Sequence, residues 1–203
     1  EGLTLAETSD LAAALRLLDA NRRAALAGLA RRQAREDGER TERTSLAEWR
    51  GALFAPLETE AAGARVAMRL CGDAPAGSFF ALARDGERAA AVVGVCEGET
   101  PLDALAMAVA ARRFAERHWH SLGAEEALAL MRGAFGAAAV RYLAWSDAAP
   151  LPQPTLLAAA DDESEGSAAI YVRAVADASP GERLNGIAAL LEPDGVFAIV
   201  APA

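Results

Sequence analysis

The residues able to do chemistry are few and scattered. His118 and His120, the two histidines of the chain, flank Trp119 near the end of a predicted helix. A two-residue step on a helix turns side chains to nearly opposite sides, so the pair cannot grip one metal ion; both fit better as cations favoured at a helix C-terminus. Glu97, Glu99 and Asp103 gather at the start of a helix opened by Pro101, where the helix dipole favours carboxylates without any metal. Read for function instead, Glu97 and Glu99 with Asp73 form a candidate carboxylate site for a divalent cation. Asp161, Asp162, Glu163 and Glu165 make an acidic turn without the spacing of a calcium loop. Ser78 carries no motif that marks a nucleophile. Cys71 and Cys96 have neither CxxC spacing nor a histidine cluster to complete a zinc site, and read as buried free thiols. No cofactor follows: Val93-Gly94-Val95 and Glu97-Gly98-Glu99 fit neither a dinucleotide nor a Walker loop.

Elements must position these groups. From Asp10 to about Arg35 the sequence predicts one long helix, capped by Ser9 or Asp10 and free of proline. Leu11, Leu15, Leu18, Ala25 and Leu29 recur on it at three- and four-residue steps. That stripe is a partner-binding or self-association surface, or folds back on a second helix, Ser45 to Phe54. After Pro56 the texture changes. Arg65 to Cys71 alternates as a strand, and Ser78 to Arg84 with Ala89 to Cys96 predicts a hairpin about the Asp85-Gly86 turn. A helix from Pro101 to His120 ends at Gly123, and a further helix is predicted over Ala124 to Trp145. Thr155 to Ala160, Ala168 to Ala176 and Val196 to Val200 read as strands, with a short helix from Glu182 to Leu191 before the last. Grouped elements give an α+β fold rather than a parallel doubly wound sheet. The domains expected are a helical dimerisation or linker segment over residues 1–55 and an α/β domain over residues 56–203.

Charge narrows the partners. All 20 basic residues are Arg against 29 Asp and Glu, giving a net charge of −9. Residues 1–69 hold 11 of each sign, so residues 70–203, with 9 Arg and 18 acids, carry the whole excess. An acidic main domain repels phosphate backbones and argues against nucleic acid. The Arg31 to Arg43 stretch is broken by Glu36, Asp37, Glu39 and Glu42 and reads as a solvated helix face. No apolar run is long enough to span a bilayer, and no charged-then-apolar leader opens the chain, so a cytoplasmic, non-membrane protein is expected. The chain opens on Glu1 rather than Met, as a piece of something longer would.

Five phrases, Trp49 to Pro56, Ala76 to Ala81, Gly94 to Thr100, Thr155 to Val172 and Pro193 to Ala203, together make residues 45 to 203 resemble the PPM-type serine/threonine phosphatases of the bacterial sporulation and stress-response branch, whose targets are phosphorylated anti-sigma antagonists. Trp49-Arg50-Gly51-Ala52-Leu53-Phe54-Ala55-Pro56 is similar to the phrase that closes the family's first helix. Ala76-Gly77-Ser78-Phe79-Phe80-Ala81 occupies the slot of its Gly-Gly-Asp-aromatic-Tyr-Asp phrase. Gly94-Val95-Cys96-Glu97-Gly98-Glu99-Thr100 runs in register with its Gly-Asp-Val-Ser-Gly-His-Gly phrase. Thr155-Leu156-Leu157, the turn from Asp161 to Gly166 and Ile170-Tyr171-Val172 resemble its Thr-Leu strand, turn and return strand. Pro193 to Ala203 resembles the strand it closes with Thr-Asp-Gly.

The resemblance implies a layered α/β sandwich with a helical lead-in. In active members, aspartates hold two Mg²⁺ or Mn²⁺ ions that activate a bridging water. Carried over, those ligand positions fall on Ser78, Val95 and Pro202, none of which supplies a carboxylate. The implication is a pseudophosphatase without catalytic residues, metal or cofactor: a regulatory protein in bacterial signalling that binds a protein partner of the anti-sigma or antagonist type and forms a homodimer. The alternatives are a metal-dependent phosphoprotein phosphatase with displaced ligands, or a degenerate histidine phosphotransfer or kinase-like dimer. The last lacks any histidine in residues 1–60.

Overall fold

Short glycine turns between alternating stretches decide where this chain doubles back. The computed structural model describes Thr41, residues 43–160, Glu165, residues 167–169, Val172, Val175, residues 177–191 and residues 193–203. Two units are present, Glu1–Ala47 and Glu48–Ala203. The described residues of the first, 41 and 43–47, are helical. The predicted Asp10 to Arg35 helix, with Leu11, Leu15, Leu18 and Leu29, lies outside the described residues.

The second unit opens with helix α1 (residues 48–53) and is α+β. β1 (Leu57–Ala61) and β2 (Ala64–Cys71) form a hairpin whose two turn residues, Ala62 at φ 44° and Gly63 at φ 66°, adopt the left-handed backbone that matches strand twist. The sequence reading left β1 unassigned, although Leu57, Thr59 and Ala61 alternate with Glu58 and Glu60. A positive φ at Ala62 is the costly exception that hides the turn. β3 (Ser78–Asp85) and β4 (Arg88–Cys96) form the predicted hairpin, with Gly86 at φ 56° as first turn residue. Helix α2 (Pro101–Leu122) is started by a capping box between Thr100 and Asp103 and stops at Gly123.

Two predictions are corrected here. The helix expected to Trp145 ends as α3 (Ala124–Phe135); Gly136 takes φ 59°, and Ala137–Ser146 becomes β5. Ala-rich helix propensity is overridden because Val140, Tyr142 and Trp145 complete the edge of a sheet by pairing with β4. The strand expected over Ala168 to Ala176 is helical at residues 167–169 and 172. Ala168 and Val172, four apart, both pack into a cluster with Leu184, Ile187, Phe197 and Ile199. A strand would also turn them to one face, but only a helix brings i and i+4 side by side.

β6 (Thr155–Ala160), α4 (Pro180–Leu190) and β7 (Gly195–Pro202) follow. Ser179 caps α4, and its backbone N–H donates to the Glu182 carboxylate at 2.8 Å, holding that acid below its ordinary pKa. The strands make two antiparallel sheets, ordered β1-β2-β7-β6 and β3-β4-β5. β7 and β4 touch across the sandwich; α2 lies on β3 and β4, and α4 on β2 and β7. β7 is therefore covered on both faces, and Val196 to Val200 are fully buried.

Candidate functional site

The deepest concentration of sequence-predicted site residues lies where β3 begins, β4 ends and α2 starts. β4 pairs with β3 in the register Ser78↔Val95, so two of the mapped ligand positions face one another across the hairpin. Beside them opens a cleft of about 520 Å³, lined by Val95, Cys96, Glu97, Glu99 and the Pro75-Ala76-Gly77 loop among others. The sequence shapes this corner through close backbone approaches. A Cβ on Gly77 would overlap the Cys96 carbonyl oxygen, and one on Gly98 would overlap the first turn of α2. Cys96 N–H donates to Gly77 O at 2.9 Å, and Glu97 N–H to Gly136 O at 3.0 Å. The β4–β5 register slips between Val95 and Cys96, a bulge of the kind that re-aims side chains at the end of a strand.

Ser78 is fully buried and its Oγ has no hydrogen-bond partner. A run of Ala and Val with a single Gly predicts a core strand covered on both faces, from Ala89 to Gly94 and on to Val95. Ala89 to Gly94 are buried, whereas Val95 is half-buried where it lines the cleft, and Cys96 is buried again. Pro202 ends β7 opposite Ala64. Ala203 N–H donates to Gly63 O, while Asp147, which Gly63 approaches, donates its backbone N–H to Glu87 O in the β3–β4 turn. That turn is seven residues along β3 from Ser78, about 23 Å at strand rise. The structure thus brings Ser78 and Val95 together and leaves Pro202 apart.

The carboxylates divide in the same way. Glu97 and Glu99 are exposed and line the cleft. Asp103 is engaged by its cap, accepting from Thr100 N–H at 3.1 Å and from Thr100 Oγ1 at 2.7 Å. Asp73 donates its backbone N–H to Asp194 Oδ1 at 2.7 Å in the β2–β3 loop and does not line the cleft. Among the described residues no three His, Cys, Asp or Glu side chains stand where they could share a metal ion. Burial pushes the Cys96 thiol up from 9.0 to about 11 and the Cys71 thiol in the same direction, so both are protonated at neutral pH. His118 stacks near Phe114 at 5.5 Å on the exposed side of α2, and His120 Nε2 is buried without a partner; neither reaches the cleft.

A second pair of hollows, not foreseen from sequence, flanks α2 away from this cleft. Arg112 lies over the rings of Phe54 and Phe80 at 5.5 and 5.8 Å, donates to Leu53 O at 2.5 Å and pairs with Glu116 at 2.7 Å. The four-residue spacing of Arg112 and Glu116 was visible, but nothing in the chain announced that β3 would lie beside them. The class defined by fold and site is an α+β sandwich with an open corner cleft. Compared with protein families, curated proteins and solved structures, the chain matches none.

Proposed function

We propose that this chain is a non-catalytic regulatory protein, a pseudophosphatase built on a PPM-like layered sandwich, that binds a protein partner of the anti-sigma or antagonist type in bacterial signalling. The observation that carries the reading is the Ser78–Val95 pair at the cleft: one buried hydroxyl and one aliphatic side chain stand where the resemblance puts metal-holding carboxylates. Two adjacent divalent ions need several carboxylates to offset their charge. Further support comes from the sheet-on-sheet layering with helices on both outer faces. Two features depart from the resemblance: Pro202 lies far from Ser78 and Val95, and residues 167–169 and 172 are helical where the family has a return strand.

Self-association belongs to the same proposal, through Leu11, Leu15, Leu18 and Leu29, so that deleting residues 1–44 lowers the mass seen by light scattering. Calorimetric titration with Mn²⁺ and a phosphate-release assay on phosphoserine peptides are both expected to be flat. Micromolar Mn²⁺ binding with turnover, abolished by Glu97→Gln and Glu99→Gln, overturns this reading in favour of a phosphatase with displaced ligands, for which the two cleft carboxylates are the specific observation.

A further inference from the structure

β1 and β2 put two opposite charges on the same face of their sheet. Glu58 pairs with Ala67, and Arg69 lies two residues further along β2, which makes Glu58 and Arg69 diagonal neighbours with Cα atoms roughly 7–8 Å apart. Long side chains at that spacing reach one another easily. Here they do not meet: among the described residues Glu58 makes no hydrogen bond or ion pair, and Arg69 bonds to Asn185 alone.

Helix α4 draws the two charges apart. Gly181 and Asn185 stand four residues apart on one face of α4, about 6 Å along its axis. Glu58 takes the Gly181 end: its carboxylate lies so close that a Cβ on Gly181 would overlap both oxygens, and the helix dipole favours an anion there. Arg69 takes the Asn185 end, donating from Nη1 to Asn185 Oδ1 at 2.7 Å. Because arginine only donates, that bond fixes the orientation of the amide and leaves both Nδ2 hydrogens free to donate. The hollow between these two pairs has a volume of about 220 Å³, with Pro56 and Leu57 supplying apolar surface at its side. At about 30 Å³ per water it holds about seven waters, which is room for one small molecule. Glu58 and Asn185 are exposed at its mouth, and Arg69, whose Nε is sealed off, meets a ligand through its terminal nitrogens.

The two charges together select the ligand. A phosphate or a dicarboxylate suits Arg69 and is repelled by Glu58, while a polyamine suits Glu58 and is repelled by Arg69. A molecule that carries one charge of each sign on neighbouring atoms satisfies both. We propose that this hollow binds a small zwitterion, a free aliphatic α-amino acid. Its carboxylate accepts from the Arg69 terminal nitrogens and Asn185 Nδ2, its ammonium donates to Glu58, and its side chain rests on Leu57 and Pro56. Charge-assisted bonds of about 2.8 Å at each end let the two groups on one carbon bridge the gap that Glu58 and Arg69 leave open. The site belongs to the four-stranded sheet, uses no residue of the corner cleft, and goes beyond the partner-binding reading above.

The test uses the full chain, ¹⁵N-labelled, titrated with L-valine, with isovalerate, which lacks the ammonium, with isobutylamine, which lacks the carboxylate, and with inorganic phosphate. L-Valine is expected to shift the backbone amides of Gly181 and Asn185 with a Kd of about 1 mM or tighter, a range open to a ligand of about eight heavy atoms. The other three probes should bind at least tenfold more weakly. Arg69→Met should abolish binding of L-valine. Glu58→Gln, at an exposed position, should weaken L-valine at least tenfold while leaving isovalerate unchanged or tighter, a switch of preference that a merely structural role would not produce; it decides the matter if the Arg69 variant does not fold. No shift at about 10 mM L-valine, or shifts at Glu97 and Glu99 in place of Gly181 and Asn185, overturns the proposal. Isovalerate or phosphate binding as tightly as L-valine overturns it in favour of a plain anion site, and L-valine binding untouched by Glu58→Gln overturns the role given to that carboxylate and with it the choice of a zwitterion.

Discussion

Ser78→Ala should make the protein more stable. Ser78 sits at the first position of β3, wholly buried, and its hydroxyl donates to nothing and accepts nothing. A buried polar group left unpaired costs about 1–3 kcal/mol relative to its hydrated state in the unfolded chain. Alanine removes that cost and leaves a void of oxygen size, smaller than the methyl-sized cavities that cost about 1 kcal/mol. The balance is a gain of about 1 kcal/mol, equivalent to a rise of about 2–4 °C in Tm for a domain of this size. Urea unfolding followed by circular dichroism, with Tm measured in parallel, reads it directly. Ser78→Asp, which restores the charge type of the resembled family, should do the reverse. With Val95 opposite and no hydrogen-bond partner at Ser78 Oγ among the described residues, burial raises the new carboxyl above its ordinary pKa of about 3.9. The native state then holds the proton more tightly, so this variant is most stable below that value and loses stability as pH rises through the raised one. A Ser78→Ala protein that loses about 1 kcal/mol or more refutes the reasoning, because the hydroxyl would then have a partner that matters.

Two more expectations follow from the same corner. Gly77→Ala should cost several kcal/mol in denaturant unfolding, since its Cβ has no room against the Cys96 carbonyl, whereas Gly86→Ala, in open space at φ 56°, should cost only about 1 kcal/mol; equal effects would mean the cleft loop is not closed by that approach. Because burial raises the Cys96 thiol from 9.0 to about 11, its contribution is fully present below pH 9 and is lost as pH climbs toward 11, so stability should fall across that window and less so in Cys96→Ala; a wild-type thiol that reacts with a disulfide reagent at pH 8 as fast as free cysteine would contradict its burial.

Local signals carried much of this molecule. The β3–β4 hairpin, α2 from its Pro101 start to its Gly123 stop, β6 and β7 were all legible, because a turn glycine, a helix-opening proline or an unbroken apolar run is decided by neighbours in sequence, whereas the Thr100–Asp103 capping box was not read there. The misread elements were those whose choice depends on distant partners. Ala137–Ser146 is Ala-rich enough for helix, and it is a strand because β4 offers it an edge to pair with. Ala168 and Val172 would suit a strand, and they are helical where they meet Ile187 and Phe197. The candidate site divides along the same line. The residue types at positions 78, 95, 97 and 99 are fixed by the chain itself. That Ser78 faces Val95 while Pro202 ends β7 opposite Ala64 is settled by strand register and sheet order, which no local pattern encodes. The place of β3 at the margin of the three-stranded sheet among the described residues is likewise set by sheet order, a property of the whole fold.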